Sequence, residues 1–187
     1  MQKRIALCVS TLSTTLLAGC ATPTLIPNIL SVDPNNLSEQ QAILIVSTAA
    51  DETCTSFSSA IVIKESNQPP TLLSSIGTMQ LNNSFVKSDF KGEYAKVYST
   101  IIKPGEYDFW LQSQNPYFEF TDPLLTSSFT LEPGEIKYVG EIHSDGCNSL
   151  TITANNKSER DINFLKSLQP KLDTKAVSIE PLKIIMK

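Results

Sequence analysis

Histidine is almost missing from this chain: His143 is the only one in 187 residues. That scarcity limits Ser-His-Asp, Cys-His and multi-histidine metal schemes to a single imidazole. No serine sits in a G-x-S-x-G elbow. No cysteine pair has zinc-finger spacing, and no glycine loop of the phosphate-cradling kinds occurs. Basic residues are also short, 15 against 19 acidic, for a formal charge of −4. A chain without a basic stripe is not built for nucleic acid, and it offers no polybasic patch to anionic lipid.

What is present begins at the first residues. Lys3 and Arg4 open the chain without a neighbouring acid, and Ile5 to Ala18 are apolar, small or hydroxylic. The stretch to Cys20 is shorter than the about 20 apolar residues that a spanning helix takes. A charged start, a short apolar run and small residues at its end describe a secretory signal peptide over residues 1–19. Its last residues are Leu17-Ala18-Gly19-Cys20. They resemble the lipobox of bacterial lipoproteins across all four positions. The resemblance implies cleavage before Cys20, a diacylglyceryl thioether on its sulfur and acylation of the new amine. Two or three acyl chains, at about 0.8 kcal/mol per buried methylene, hold a protein on a membrane where one would not. Ala21 stands where an Asp would resemble an inner-membrane retention signal, so the outer membrane, on its periplasmic face, is the expected site.

Loss of residues 1–19 removes two basic residues and no acidic one, taking the formal charge from −4 to −6. The rest is one domain by length and long enough to bury a core. Of the four cysteines, Cys8 leaves with the signal peptide and Cys20 takes the lipid. Cys54 and Cys147 remain, an even pair in an oxidising compartment, and a disulfide between them is expected. The alternative is two separate buried thiols. Residues 20–37, with Pro23, Pro27 and Pro34, read as an extended tether. The domain is expected over residues 38–187.

From Gln41 onward, short period-two patterns alternate with Pro, Gly, Asn and Asp clusters. They fall at 42–48, 56–64, 72–81, 94–102, 107–112, 129–131, 136–142 and 150–154, with a short strand or extended tail at 177–185. The expectation is mainly β: an antiparallel β-sandwich of about seven or eight strands. Pro104-Gly105-Glu106 and Pro133-Gly134-Glu135 each read as a tight reversal between neighbouring strands. Near 158–168, Ile162, Leu165 and Leu168 share a helical side, and Pro170 ends the run. Ser158 and Asp161 there resemble a capping box.

Few residues suggest chemistry. Glu141, His143, Asp145 and Cys147 alternate and could face one way as a metal row, but a disulfide at Cys147 removes the thiolate. No metal and no cofactor is expected. Asp108, Glu119, Asp122, Glu132, Glu135 and Glu141 qualify as paired acids by type only. The aromatic group Trp110, Tyr117, Phe118 and Phe120 is a candidate stacking platform for a sugar or peptide. Alternatively it covers one end of the domain.

The run Ile101 to Cys147 contains two strand–Pro-Gly–strand units and the segment Leu131-Glu-Pro-Gly-Glu-Ile-Lys-Tyr-Val-Gly140. It resembles small bacterial lipoproteins with a transthyretin-like or carboxypeptidase-regulatory-like sandwich. The resemblance covers under a third of the chain, rests on turn and core residues, and carries no catalytic position. The expected function is a non-enzymatic, membrane-anchored envelope lipoprotein that binds another protein or holds an envelope assembly together. The alternative is a glycan- or peptide-binding module using the aromatic loop.

Overall fold

The computed structural model describes residues 33–55, 59–66, 75–113, 124–147 and 151–185. Nine strands, one α-helix and a short 3-10 turn at Thr174–Ala176 are found there: β1 (Ala42–Ala50), β2 (Ser59–Glu65), β3 (Ser75–Gln80), β4 (Tyr94–Ile102), β5 (Gly105–Ser113), β6 (Phe129–Leu131), β7 (Ile136–Ser144), β8 (Ile152–Asn155), α1 (Ser158–Leu168) and β9 (Val177–Ile179). Among the described residues no helix is long and apolar enough to cross a membrane.

The strands form two sheets. The first has the order β4-β1-β7-β8, with β9 lying along the same edge of β7 as β8; the second has the order β3-β2-β5-β6. The expectation of a wholly antiparallel fold of seven or eight strands is corrected here. The second sheet is antiparallel throughout. In the first, however, β1 pairs β7 in parallel and β7 pairs β9 in parallel. Periodicity reports which face of a strand is buried and is silent on the direction of its neighbour. One feature did carry that information. Ala42-Ile43-Leu44-Ile45-Val46 is an unbroken apolar run with zero exposure at every position, the pattern of a strand covered on both faces.

Those two faces belong to two cores. Leu44 and Val46 point toward the second sheet, where they join Ile61, Ile63, Tyr107, Phe109 and Leu131. Phe109 and Phe129 stack there with ring centroids 5.2 Å apart. Ile43 and Ile45 point the other way and pack with Val97, Tyr138 and the Ile162 and Leu165 of α1. Each fully buried aliphatic side chain contributes about 1.5–3 kcal/mol.

Both Pro-Gly turns differ from expectation in one respect. They do not join paired strands: β4 and β5 lie in different sheets, and so do β6 and β7. Each turn is therefore a corner that carries the chain from one sheet to the other. The second is tight, with the Glu135 N–H donating to the Glu132 carbonyl at 3.1 Å and Gly134 at φ +74°.

β7 also departs from simple alternation. Ile45 opposes Tyr138 but Ser47 opposes Glu141, so β7 holds one extra residue, a β-bulge. Gly140 occupies it at φ +111°, and a Cβ there would lie 3.2 Å from the Asn155 carbonyl oxygen. The bulge moves Ile142 into the core between the sheets, while Ile136 and Tyr138 stay on the helix side. Strict alternation would put all three on one face.

α1 buries Ile162 and Leu165. Its capping box does not form: Lys157 is the N-cap and makes no side-chain cap bond, and the Ser158 N–H donates to Asn156 Oδ1 at 3.0 Å. Asp161 is drawn instead into the fold. At the other end Lys166 Nζ donates to the carbonyls of Pro170 and Leu172 at 2.7 and 2.6 Å, which satisfies groups beyond the last turn and suits the helix dipole.

Candidate functional site

The parallel pairing of β1 and β7 ends with Ala50 opposite Ser144. The segments that follow both strands therefore leave the fold at the same end. Cys54 comes four residues after Ala50 and Cys147 three after Ser144, and the two form a disulfide with a Cα separation of 5.8 Å. Cys54 is held further by backbone bonds: its N–H donates to the Asn82 carbonyl and its carbonyl accepts from the Ser84 N–H. The bridge thus ties the ends of two strands to the loop after β3.

The alternate row on β7 is divided among separate partners. Glu141 is buried and accepts from Arg160 at 2.6 Å and from Asn155 at 3.2 Å. His143 Nε2 lies 3.1 Å from Asp51 Oδ1. Asp145 accepts the Thr151 N–H at 2.7 Å, which holds its carboxyl below the ordinary range. Cys147 is in the disulfide. Among the described residues no three His, Cys, Asp or Glu side chains converge as a metal-holding group.

Of the aromatic group, Trp110 lies on the outer face of the second sheet, opposite Val62. It is partly buried, and Lys64 Nζ sits 4.9 Å from its ring centroid. Tyr117, Phe118 and Phe120 fall outside the described residues, as do Glu119, Asp122 and Cys20. Asp108 is buried on the same outer face as Trp110. Glu135 accepts from the Ser178 hydroxyl at 2.6 Å and from the Glu132 N–H at 2.9 Å. Asp33 and Asn35, at the end of the expected tether, contact Lys171: the Asp33 carboxylate pairs with its ammonium at 3.0 Å and Asn35 Nδ2 donates to its carbonyl at 2.7 Å.

Two clusters went unread in the sequence. The first is a buried polar network beneath α1. Asp161 Oδ2 accepts from the Ser47 hydroxyl at 2.6 Å and from the Tyr138 hydroxyl at 2.9 Å, and Oδ1 accepts from Arg160 at 2.8 Å. Arg160 also reaches Glu93 at 3.3 Å and stacks over the Phe90 ring at 4.5 Å. Burial disfavours the charged Arg160, but Asp161 and Glu141 outweigh it and hold the guanidinium above its usual range. Burial and the neighbouring Asp161 charge raise the Tyr138 hydroxyl. Every oxygen of the two buried acids has a donor, as a network beneath a helix requires. Its work is to seat α1.

The second is concave. At the end of the fold opposite the disulfide, a cavity of about 400 Å³ opens between β3 and β4, the edge strands of opposite sheets. Ile76, Ile101, Ile102, Tyr107, Glu65, Lys103 and Gln40 line it; Ile76 and Ile102 belong to the core between the sheets, whereas Ile101 packs on the helix side of the first sheet. The Tyr107 hydroxyl donates to the Lys103 carbonyl at 2.6 Å, which fixes the ring. Burial and then the Glu65 charge raise the pKa of that hydroxyl. Such size and lining suit a small amphipathic ligand. No local sequence signal marks it: Ile101 and Ile102 are adjacent apolar residues because both faces of β4 are covered.

Comparison with protein-family models and with curated proteins finds no match to this chain.

Proposed function

We propose that this chain is a lipid-anchored protein of the bacterial envelope that works by binding. Its domain is a β-sandwich, formed by the two sheets that share a core and backed by α1 on the far side of the first. The Cys54–Cys147 disulfide carries this reading. Such a bond belongs to a compartment outside the cytosol, where residues 1–19 would direct the chain. Cys20 takes the lipid, and Ala21 favours the outer membrane with the domain in the periplasm. The transthyretin-like or carboxypeptidase-regulatory-like resemblance agrees with two sheets joined by Pro-Gly corners. The domain binds another envelope protein or stabilises an assembly.

The test has two parts. Mass spectrometry of the Cys20 peptide from membranes should show acyl mass that Cys20→Ala lacks; an unmodified Cys20 would refute the anchor. Crosslinking in intact cells should then recover a defined envelope partner. Hydrolase activity of the purified protein, lost on a single carboxylate substitution, would overturn a binding role. A ligand-binding reading is favoured by a separate observation, the end cavity at Tyr107.

A further inference from the structure

The end cavity is more than a gap between edge strands. Three features shape it. In the β2–β3 pairing, Ile63 opposes Gly77 and Lys64 opposes Ser75, so Ile76 is the extra residue of a bulge, and it packs against the core between the sheets. Bulges of this kind re-aim a side chain. Glu65 pairs with Tyr107 and falls in phase with Ile61 and Ile63. A carboxylate therefore stands on the inward-facing side of β2, where its strand otherwise places apolar residues. Finally, a second cavity of about 240 Å³ adjoins the first and shares Glu65 and Tyr107, with Glu106 on its wall. Glu106 is one residue out of phase with the inward-facing Tyr107, so the rim of the first cavity carries one acid, Glu65, beside one cation, Lys103.

Apolar walls select a hydrocarbon chain. The Glu65 carboxylate selects an ammonium group that can donate hydrogen bonds. A single lysine nearby suits a phosphate. The place of the site supplies the source. Gln40, two residues before β1, lines the mouth, so the cavity opens at the end where the chain enters the domain from the side of Cys20. We propose that this cavity binds a membrane phospholipid with an ethanolamine headgroup. Its acyl carbons lie against Ile76 and Ile102, its ammonium at Glu65 and its phosphate at Lys103. Only the source of the ligand rests on the lipid-anchored reading.

The probe is a lysophosphatidylethanolamine with a diazirine in its acyl chain, photolysed with the purified full-length chain and with its Cys20→Ala form. Crosslinks are expected on the peptides that contain Ile76 or Ile101–Lys103. Glu65→Gln should weaken labelling about tenfold, the loss of one charge-assisted hydrogen bond. Ile102→Trp should abolish labelling by filling the cavity; if that variant does not fold, Glu65→Gln decides. Lysophosphatidylglycerol, which has no ammonium, should compete poorly. Labelling spread over the surface, labelling unchanged in Glu65→Gln, or equal competition by the glycerol lipid would each overturn the proposal. Labelling of a chain whose Cys20 carries no lipid would support the cavity and refute the anchor. An acylated Cys20 with no labelling would do the reverse.

Discussion

The Tyr138 hydroxyl lies 2.9 Å from Asp161 Oδ2, a carboxylate with no solvent exposure. Tyr138 comes from the centre of the first sheet and Asp161 from the first turns of α1, so this bond joins the two layers. The same hydroxyl accepts the Lys157 N–H at 3.1 Å, which anchors the start of the helix where no side chain caps it. Truncation of Asp161 would leave the buried Tyr138 and Ser47 hydroxyls without their acceptor and take from Arg160 one of its two buried carboxylate partners. Breaking one partner out of a buried ionic network costs about 3–5 kcal/mol. Asp161→Ala should lower the unfolding free energy obtained from urea titration by that amount. Tyr138→Phe should cost about 1–2 kcal/mol, since it removes one donor and leaves one N–H unpaired. A variant of either kind with unchanged stability would show that α1 is held by Ile162 and Leu165 alone.

The disulfide closes a loop with a sequence separation of 93. Chain-entropy arithmetic gives about 4–5 kcal/mol for a closure of that length. The double variant Cys54→Ala, Cys147→Ala should lose most of it in equilibrium unfolding, and reductant should destabilise the native chain but leave the double variant unmoved. The effect should reach beyond the bridge, because Cys54 also holds the Asn82–Ser84 segment. Faster amide exchange at Ser84 after reduction would register this. Equal unfolding midpoints with and without reductant would contradict it.

Strand existence and inward faces were legible because alternation follows directly from the pleat. Ile61 and Ile63, Tyr107 with Phe109 and Leu111, and Phe129 with Leu131 all enter the core their patterns indicate. The helix was legible because Ile162 and Leu165 repeat at helical spacing and Pro170 closes the run. Sheet membership was not legible. Pro104-Gly105 and Pro133-Gly134 specify a reversal of the chain, and a corner between sheets needs the same backbone as a hairpin. The phase of β7 was hidden by Gly140, since one inserted residue exchanges the faces of everything after it. Asp161 looked like a helix cap because it stands three residues after Ser158; only the third dimension brings Ser47 and Tyr138 to it. The end cavity depends on two edge strands from different sheets meeting, a relation that no local pattern encodes.

Alkaline pH should probe the core through Tyr98. It is 3% exposed, and burial is the main cause that pushes its pKa up from 10.0 to about 12. The folded chain therefore favours the neutral phenol. Below about pH 10 the hydroxyl is protonated in both folded and unfolded chains, so its contribution to stability is fully present. Between pH 10 and 12 the unfolded chain ionises first, and stability falls by about 2–3 kcal/mol across that window. Burial raises Tyr138 in the same direction, with the Asp161 charge adding to it, and so steepens the loss. Absorbance at the phenolate band should show Tyr98 and Tyr138 titrating above pH 10 and only as the fold gives way. In Tyr98→Phe the late step should shrink and the alkaline unfolding midpoint should move upward. A single titration step near pH 10 for all tyrosines, with the fold intact, would mean that Tyr98 is reached by water in a way this packing forbids.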